Sequence, residues 1–449
     1  MDLNEYRIVI LLCVLLCICM STPLKRVAFH TLGCKLNYSE TSAISREFIV
    51  NGFKKVNFQD IADFYVINTC SVTENADKEA RKLIRQAKRR NQNSSIVVIG
   101  CYAQLKPYEI NSIDDVDLVL GTNEKFDIVK HLDKIDLSKN GTTIRSEIKN
   151  SKVFQSSYSL DERTRAYLKV QDGCDYTCSF CTIPLARGRS RSDTIDNTIK
   201  TAKKIAKSGK KEIVLTGVNI GDFGKSQNES FYDLVQSLDK ISGINRIRIS
   251  SIEPNLITDE IIDFCLTSNH FVPHFHIPLQ SGSDKILRQM RRRYDTELYH
   301  DRVKKIKSVN PDTCVGVDVI VGFPGETERD FAATYDYLNS LEISYLHVFS
   351  YSERLETDAI RMDDKVSSQI KKERSKALHQ LSNQKQSNFS KRFINSRREV
   401  LFEYRKDKTL IGHTDNYIKV HILSNNDLIN QIVPINLIED RGSFLFGKL

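Results

Sequence analysis

From Lys25 to about Asn150 short apolar runs alternate with longer stretches of helical periodicity. Arg26–Leu32, Phe64–Asn68 and Ile96–Ile99 read as buried strands, with helices at about Ser39–Val50 and Glu74–Arg90. That alternation predicts a doubly wound parallel sheet, an α/β domain spanning residues 25–150. The pattern resumes with more units from Ala166. Strands are predicted at Ala166–Gln171, Glu212–Thr216, Arg246–Ser250, His274–Pro278, Gly316–Val321 and Leu346–Tyr351. Helices are predicted between them at Asp193–Ser208, Phe231–Ile241, Asp259–Thr267, Asp284–Ser308 and Glu328–Leu341. Six such units are too few to close an eight-fold barrel, so residues 160–385 should form an open, partial (βα)6 barrel, with a charged helical linker at Lys365–Arg392. The period then changes. Val400–Tyr404, Tyr417–Ile422, Ile432–Leu437 and Ser443–Phe446 are short, Asn- and Gly-punctuated strands, which predict a small antiparallel β-barrel over 388–449.

The first 24 residues break the pattern. Ile8 to Met20 is continuously apolar but only about 13 residues long, short of the ~20 that span a bilayer. Ser21-Thr-Pro is a poor signal-cleavage site, so the expectation is a non-native leader, a start at Met20, and no stable membrane association. A formal charge of +9 over 449 residues suits a polyanionic partner without proving one.

Eleven cysteines would mean disulfides outside the cell, yet the best-placed ones read as metal ligands, which need a reducing, cytoplasmic compartment. Cys174, Cys178 and Cys181 stand at C-x3-C-x2-C spacing, just after the first barrel strand. Three thiolates can hold three corners of an iron–sulfur cube and leave the fourth iron open. A structural zinc site is the alternative, but it normally closes with four ligands, and no further Cys or His lies near in sequence. Cys34, Cys70 and Cys101 each follow a strand of the first domain, at the edge where open α/β sheets bind ligands, so they form a candidate second site. Ordinary core packing is the competing account of those three. It is the account adopted for Cys265 and Cys314.

The barrel strands end in a common set of turns: Gly217-Val-Asn219, Glu253, Gln280-Ser281-Gly282 and Gly322-Phe-Pro-Gly-Glu326. One rim of Gly-rich and polar turns is what a small-molecule cradle needs, which makes Gly217, Asn219, Glu253, Gln280, Ser281 and Gly322 cofactor-binding candidates. Arg187, Arg189 and Arg191, with Arg291, Arg292 and Arg293, are candidate phosphate contacts. The basic helix Lys78–Arg90 could add to them, and a solvated charged face is the alternative for each.

The cysteine spacing resembles that of radical S-adenosylmethionine (SAM) enzymes, and across residues 25–449 the domain order resembles their methylthiotransferase branch. That family has an N-terminal α/β domain with three cysteines, a radical-SAM barrel and a C-terminal TRAM barrel. His30-Thr-Leu-Gly-Cys34-Lys-Leu-Asn37, Ile183-Pro-Leu-Ala-Arg-Gly-Arg-Ser-Arg191 and His276-Ile-Pro-Leu-Gln-Ser-Gly-Ser283 leading to Met290-Arg-Arg-Arg-Tyr294 resemble the branch that modifies threonylcarbamoyladenosine in tRNA. The isopentenyladenosine branch usually has Gln-Met-Asn after its first cysteine and the ribosomal-protein branch Pro-Lys-Asn; Lys35-Leu-Asn37 agrees with neither.

The resemblance implies two [4Fe–4S] clusters, one on Cys174, Cys178 and Cys181 and one on Cys34, Cys70 and Cys101. It also implies SAM on the open iron of the first, with Phe180 against its adenine, and a radical that removes the C2 hydrogen of the target adenine. The second cluster would deliver the methylthio sulfur. Partners implied are the tRNA anticodon loop, where exposing a base costs little, and an electron donor such as flavodoxin or ferredoxin. Three rival readings remain: an isopentenyladenosine or ribosomal-protein aspartate substrate, a zinc-holding RNA-binding protein, and radical-SAM chemistry without sulfur insertion.

Overall fold

The computed structural model describes residues 24–71, 73–134, 141–160 and 164–449; the apolar leader and the start-site expectation fall outside them. The described chain forms two compact units.

The first unit comprises residues 24–32, 44–69 and 78–145. Its sheet has six parallel strands in the spatial order Lys54–Val56, Arg26–Thr31, Phe64–Thr69, Ser95–Gly100, Leu118–Leu120, Thr142–Ile144. Every residue of Phe64–Thr69 is buried, as a central strand covered on both faces requires. Successive side chains serve opposite faces. Tyr65 and Ile67 pack with Ala80, Leu83 and Ile84, while Phe64 and Val66 pack with Ile44 and Phe48. The doubly wound expectation holds, extended by three short strands that the apolar runs did not reveal.

The second unit comprises residues 33–43, 70–77 and 146–449. Six parallel strands run as two triplets. Arg246–Ile249, Glu212–Thr216 and Arg165–Lys169 form one, and His274–His276, Cys314–Val321 and Tyr345–Ser350 the other. The triplets meet where Ser251 bridges His276 in parallel and Ile252 N–H donates to the His276 carbonyl at 3.1 Å. The helices Ile195–Lys207, Phe231–Leu238, Asp259–Thr267, Thr296–Val309 and Glu328–Ser340 supply the outer half of one continuous core. Where one helix was predicted over Asp284–Ser308 there are two, Asp284–Gln289 and Thr296–Val309. The break lies at Arg291, whose φ of 58° no helix tolerates. The last barrel strand is an edge with unpaired backbone, and helix Ser368–Lys391 covers it. Ser382 Oγ accepts from Leu346 N–H at 2.9 Å and donates to the Leu346 carbonyl at 3.0 Å, while Leu378 and Leu381 enter the core.

The C-terminal barrel is closed by five strands, Arg397–Lys406, Thr409–Thr414, Lys419–Leu423, Leu445–Lys448 and Ile432–Asp440. This corrects the four-strand expectation: Thr409–Thr414 is too short and too broken by Gly412 and His413 to read as an apolar run. It is also not wholly antiparallel, since Lys419–Leu423 pairs with Leu445–Lys448 in parallel.

Candidate functional site

Cys174, Cys178 and Cys181 lie on the loop that follows strand Arg165–Lys169 and the two-residue strand Gln171–Asp172. The loop is tightly held. Gly173 has φ of 69°, and a Cβ there would fall 2.0 Å from the Arg189 carbonyl, so only glycine lets the two backbones pass. Gln171 ties this loop to the next rim turn. Its Oε1 accepts from Val218 and Asn219 N–H at 2.9 and 2.8 Å, and its Nε2 donates to the Gly173 carbonyl at 2.7 Å. Burial pushes the Cys174 and Cys181 thiols up to about 12 and raises that of Cys178, against the pull of Arg292. Without a metal these side chains are neutral thiols; binding one would displace their protons.

The loop fits a cluster better than a single ion. Among the described residues the only His, Cys, Asp or Glu trio with ligand atoms within 4.8 Å of one another is His276, Asp318 and His347. The three cysteine sulfurs are therefore spread wider than the roughly 3.8 Å that separates sulfurs on one tetrahedral zinc. Donors also face them. Arg292 Nη1 lies 3.2 Å from Cys178 Sγ, and Tyr176 N–H lies 3.4 Å from Cys174 Sγ, the kind of contact that stabilises negative cluster sulfur. Arg292 is itself held by an ion pair to part-buried Glu253. Beside Cys181 opens a cavity of 240 Å³ whose wall includes Phe180, Gln280, Asp318, Ile320 and Tyr351. Gln280 takes the left-handed conformation at φ 71°, held by a parallel bridge to Val319, and strain of this kind gathers at binding sites. Asn219 is buried and its Oδ1 has no partner, an acceptor on the rim fit for an amino group.

The structure sorts the remaining candidates. Phe180 lines the cavity with its ring edge-on to Phe323 at 6.4 Å. Gly217 sits against Gln171, where a Cβ would meet Oε1 at 2.9 Å. Ser281 is fully buried and bonded to Thr334, and Gly322 is packed on Lys371 with its N–H given to Glu326 at 2.6 Å. Both brace the rim rather than line the cavity. Arg187 is the clearest correction among the phosphate candidates. It is 1 % exposed and donates to Glu40, Asp172 and Asn37 at 2.6–3.2 Å. Lys169 and Arg191 reach the same Asp172 at 2.8 and 3.1 Å, and Lys169 reaches Glu40 at 3.1 Å. Three cations and two carboxylates thus lock the start of helix Lys35–Val50, just after Cys34, to the first barrel strand. Arg292 is likewise committed, to Glu253 and Cys178. Arg189, Arg291 and Arg293 remain solvent-facing. Arg189 borders an open cleft of 1210 Å³ that contains Cys174, Lys149 and Lys152.

In the second unit Cys34 is exposed and Cys70 buried. They are neighbours across Gly33, whose φ is 93° and where a Cβ would stand 2.9 Å from Cys70 Sγ. In the first unit Cys101 opens the short helix Cys101–Leu105 at the end of strand Ser95–Gly100. Cys265 and Cys314 are buried, Cys265 in the core of the partial barrel and Cys314 in that of the C-terminal barrel.

Sequence reasoning missed Asp318 and His347. Asp318 Oδ1 lies 2.8 Å from His276 Nε2 and 3.2 Å from His347 Nδ1, on three adjacent strands. Burial alone would raise the Asp318 carboxyl, but the two histidines hold it well below the usual range. In the sequence Asp318 and His347 look like polar alternates of a strand; only the pairing of three adjacent strands brings them together with His276.

A partial parallel barrel with three cysteines leaving its first strand defines a radical-SAM enzyme, and residues 168–338 match the family described as the Radical SAM superfamily. Residues 26–121 match the family described as Uncharacterized protein family UPF0004. The chain belongs to the methylthiotransferase family of radical-SAM enzymes. It is 42 % identical over 422 residues to Threonylcarbamoyladenosine tRNA methylthiotransferase MtaB of Bacillus subtilis (strain 168), covering 92 % of this chain and 94 % of that protein. It is 39 % identical to the protein of the same name from Aquifex aeolicus (strain VF5), covering 88 % and 96 %. To tRNA-2-methylthio-N(6)-dimethylallyladenosine synthase of Hydrogenobaculum sp. (strain Y04AAS1) it is 33 % identical, covering 90 % and 94 %. The solved structure of the radical SAM methyltransferase TsrM from Kitasatospora setae shares the fold, with a TM-score of 0.54 at 12 % identity over 75 % of this chain and 77 % of that one. An iron–sulfur cluster and SAM follow from the family. No helix among the described residues is long and apolar enough to cross a membrane.

Proposed function

We propose that this chain converts N6-threonylcarbamoyladenosine next to the anticodon of tRNA to its 2-methylthio derivative. The observation that carries the reading is the cysteine loop beside its cavity, in a chain 36–42 % identical to four relatives named for that reaction. Cys174, Cys178 and Cys181 would hold a [4Fe–4S] cluster with an open iron for SAM. Cys34, Cys70 and Cys101, each following one of three adjacent strands, would hold a second. Bound together, these groups supply hydrogen abstraction from an inert C–H bond and a sulfur to place there.

What the chain's own residues contribute is positioning. Phe180 and Gln280 wall the cavity beside Cys181, and Arg292 would offset the thiolate charge that Cys178 takes on when it holds a cluster. The buried network of Arg187 fixes the Cys34 segment to the barrel. Arg189, Lys149 and Lys152 give the open cleft a basic wall for RNA phosphates. The domains follow as 25–150, 160–385 and a TRAM-like 388–449. The enzyme works in the cytoplasm, reduced by a flavodoxin- or ferredoxin-type donor. A dimethylallyladenosine substrate is the second reading, favoured by relatives of that name at 30–33 % identity. Mass spectrometry of tRNA nucleosides from a host with and without the gene tests both. Loss of 2-methylthio-threonylcarbamoyladenosine with accumulation of its precursor is expected. Loss of the 2-methylthio-dimethylallyl nucleoside instead would overturn the substrate.

A further inference from the structure

The lower interior of the partial barrel gathers four cations, and not all of their donors are satisfied. Arg165 pairs with Glu403 at 2.9 Å, and Arg248 Nε donates to Glu212 at 2.9 Å. Arg246 has only backbone acceptors, the His413 and Glu399 carbonyls at 3.1 and 2.8 Å. Lys35 faces the same group, within electrostatic reach of Arg248, Arg165, Glu212 and Tyr417, and no carboxylate stands within ion-pair distance of it among the described residues. Four cations thus gather around Glu212 and Glu403, with Asp415 and Glu399 also within electrostatic reach of Arg246.

Two buried polar atoms in this place also lack partners. Arg248 is 1 % exposed and its guanidinium lies 4.5 Å over the Tyr417 ring, yet Nη1 bonds to nothing. His274, 4 % exposed and 5.0 Å from Tyr417 between ring centres, bonds to Tyr345 through Nε2 at 3.1 Å and leaves Nδ1 without a partner. A buried, unsatisfied guanidinium edge is costly and is rarely kept without a use. Lys35 differs from both because it is solvent-accessible although protein groups surround it, as a side chain reaching into an internal space would be.

We infer that Lys35 and the free Nη1 edge of Arg248 form a carboxylate-binding subsite for the N6 substituent of the target adenosine, with His274 Nδ1 hydrogen-bonded to a neighbouring polar group of that substituent. The inference rests on the function proposed above, in which the substituent ends in an amino-acid carboxylate beside a hydroxyl and a urea. A purely hydrocarbon substituent would bury Arg248 and leave it unpaired, so the same residues discriminate against it. Lys35 follows Cys34 directly, so the segment that carries a proposed cluster ligand also reads the substrate.

The test uses cluster-loaded holoenzyme and tRNA carrying either the free threonylcarbamoyl acid or its methyl ester, with iron content measured on each preparation. Wild type is expected to show a kcat/KM at least ten-fold lower on the ester. Lys35→Gln is expected to raise KM for the acid ten-fold or more with a smaller change in kcat, to lose most of the acid-over-ester preference, and to be rescued in part by Lys35→Arg. Equal acid and ester activity in wild type overturns the subsite, and needs no variant. An unchanged acid-over-ester ratio in Lys35→Gln overturns the role of Lys35. Failure of wild type to methylthiolate the threonylcarbamoyl tRNA, with activity on a dimethylallyl tRNA, overturns the proposed function and the subsite together.

Discussion

Two clusters of buried charge in the second unit make opposite use of arginine. Around Arg187 the cations and carboxylates interlock: Glu40 and Asp172 each accept from two or three partners, and Asn37 takes Arg187 Nη2 at 2.6 Å. Around Arg248, one guanidinium edge and one imidazole nitrogen are left open. Arg187 and Arg248 are equally buried, at 1 % exposed each. Burial alone therefore does not separate these two arginines; the completeness of their hydrogen bonding does.

The contrast can be broken at its strongest point first. Arg187→Met removes the centre of the closed network and leaves two buried carboxylates short of a partner, and should cost about 3–5 kcal/mol in denaturant unfolding. A loss under about 1 kcal/mol, the size of an ordinary surface pair, would show the network to be dispensable. In the open cluster, burial alone would raise Glu212, but Arg248 and Arg165 overrule it and hold it at about 2, against an ordinary 4.5. Because the folded value is depressed, its stabilisation is complete above about pH 4.5 and is lost as the pH falls toward 2. Glu212→Gln should lower stability at neutral pH and flatten the acid decline in that window. Identical pH slopes for variant and wild type would count against the pairing.

Between the two clusters in effect stands Arg292, paired with Glu253 yet donating to Cys178 Sγ. Arg292→Lys keeps the charge but not the fork, and should move the potential of the adjacent cluster to a more negative value in a redox titration, with iron content retained. The smallest effect is expected at Cys265, which sits in the apolar core with its thiol pushed far up by burial. Cys265→Ala should cost about 1 kcal/mol and leave iron content unchanged; a drop in iron would give that cysteine a role it lacks here.

The sequence made the longer parallel strands legible because buried strands are continuous apolar runs, while Lys54–Val56, Leu118–Leu120 and Thr142–Ile144 were too short to stand out; it made the first cysteine set legible because three ligands lie within eight positions. Thr409–Thr414 escaped because four of its six residues are polar or glycine. The break at Arg291 escaped because a positive φ at arginine leaves no compositional mark. Arg187, Arg191 and Arg292 were taken for phosphate ligands because a run of arginines near a rim looks the same whether or not carboxylates from distant segments meet it. Glu40 lies 147 positions from Arg187, and nothing local announces the pairing. Lys35 was noticed only as a departure from two related patterns; its neighbours Arg248 and Tyr417 come from elements far along the chain.

The attachment of the C-terminal barrel has a consequence for synthesis. Arg246 and Arg248 are buried in the partial barrel and Arg165 is part-buried, yet their acceptors include Glu403 and the carbonyls of Glu399, His413 and Asp415. Those acceptors leave the ribosome after the whole of the partial barrel. Until residues 397–415 have emerged and folded, three arginines of an otherwise finished barrel share Glu212 alone and lack their other acceptors. The last strands therefore act as a completion signal, and a chain cut short of them would stay loose at its base and open to the proteases that remove unfinished protein.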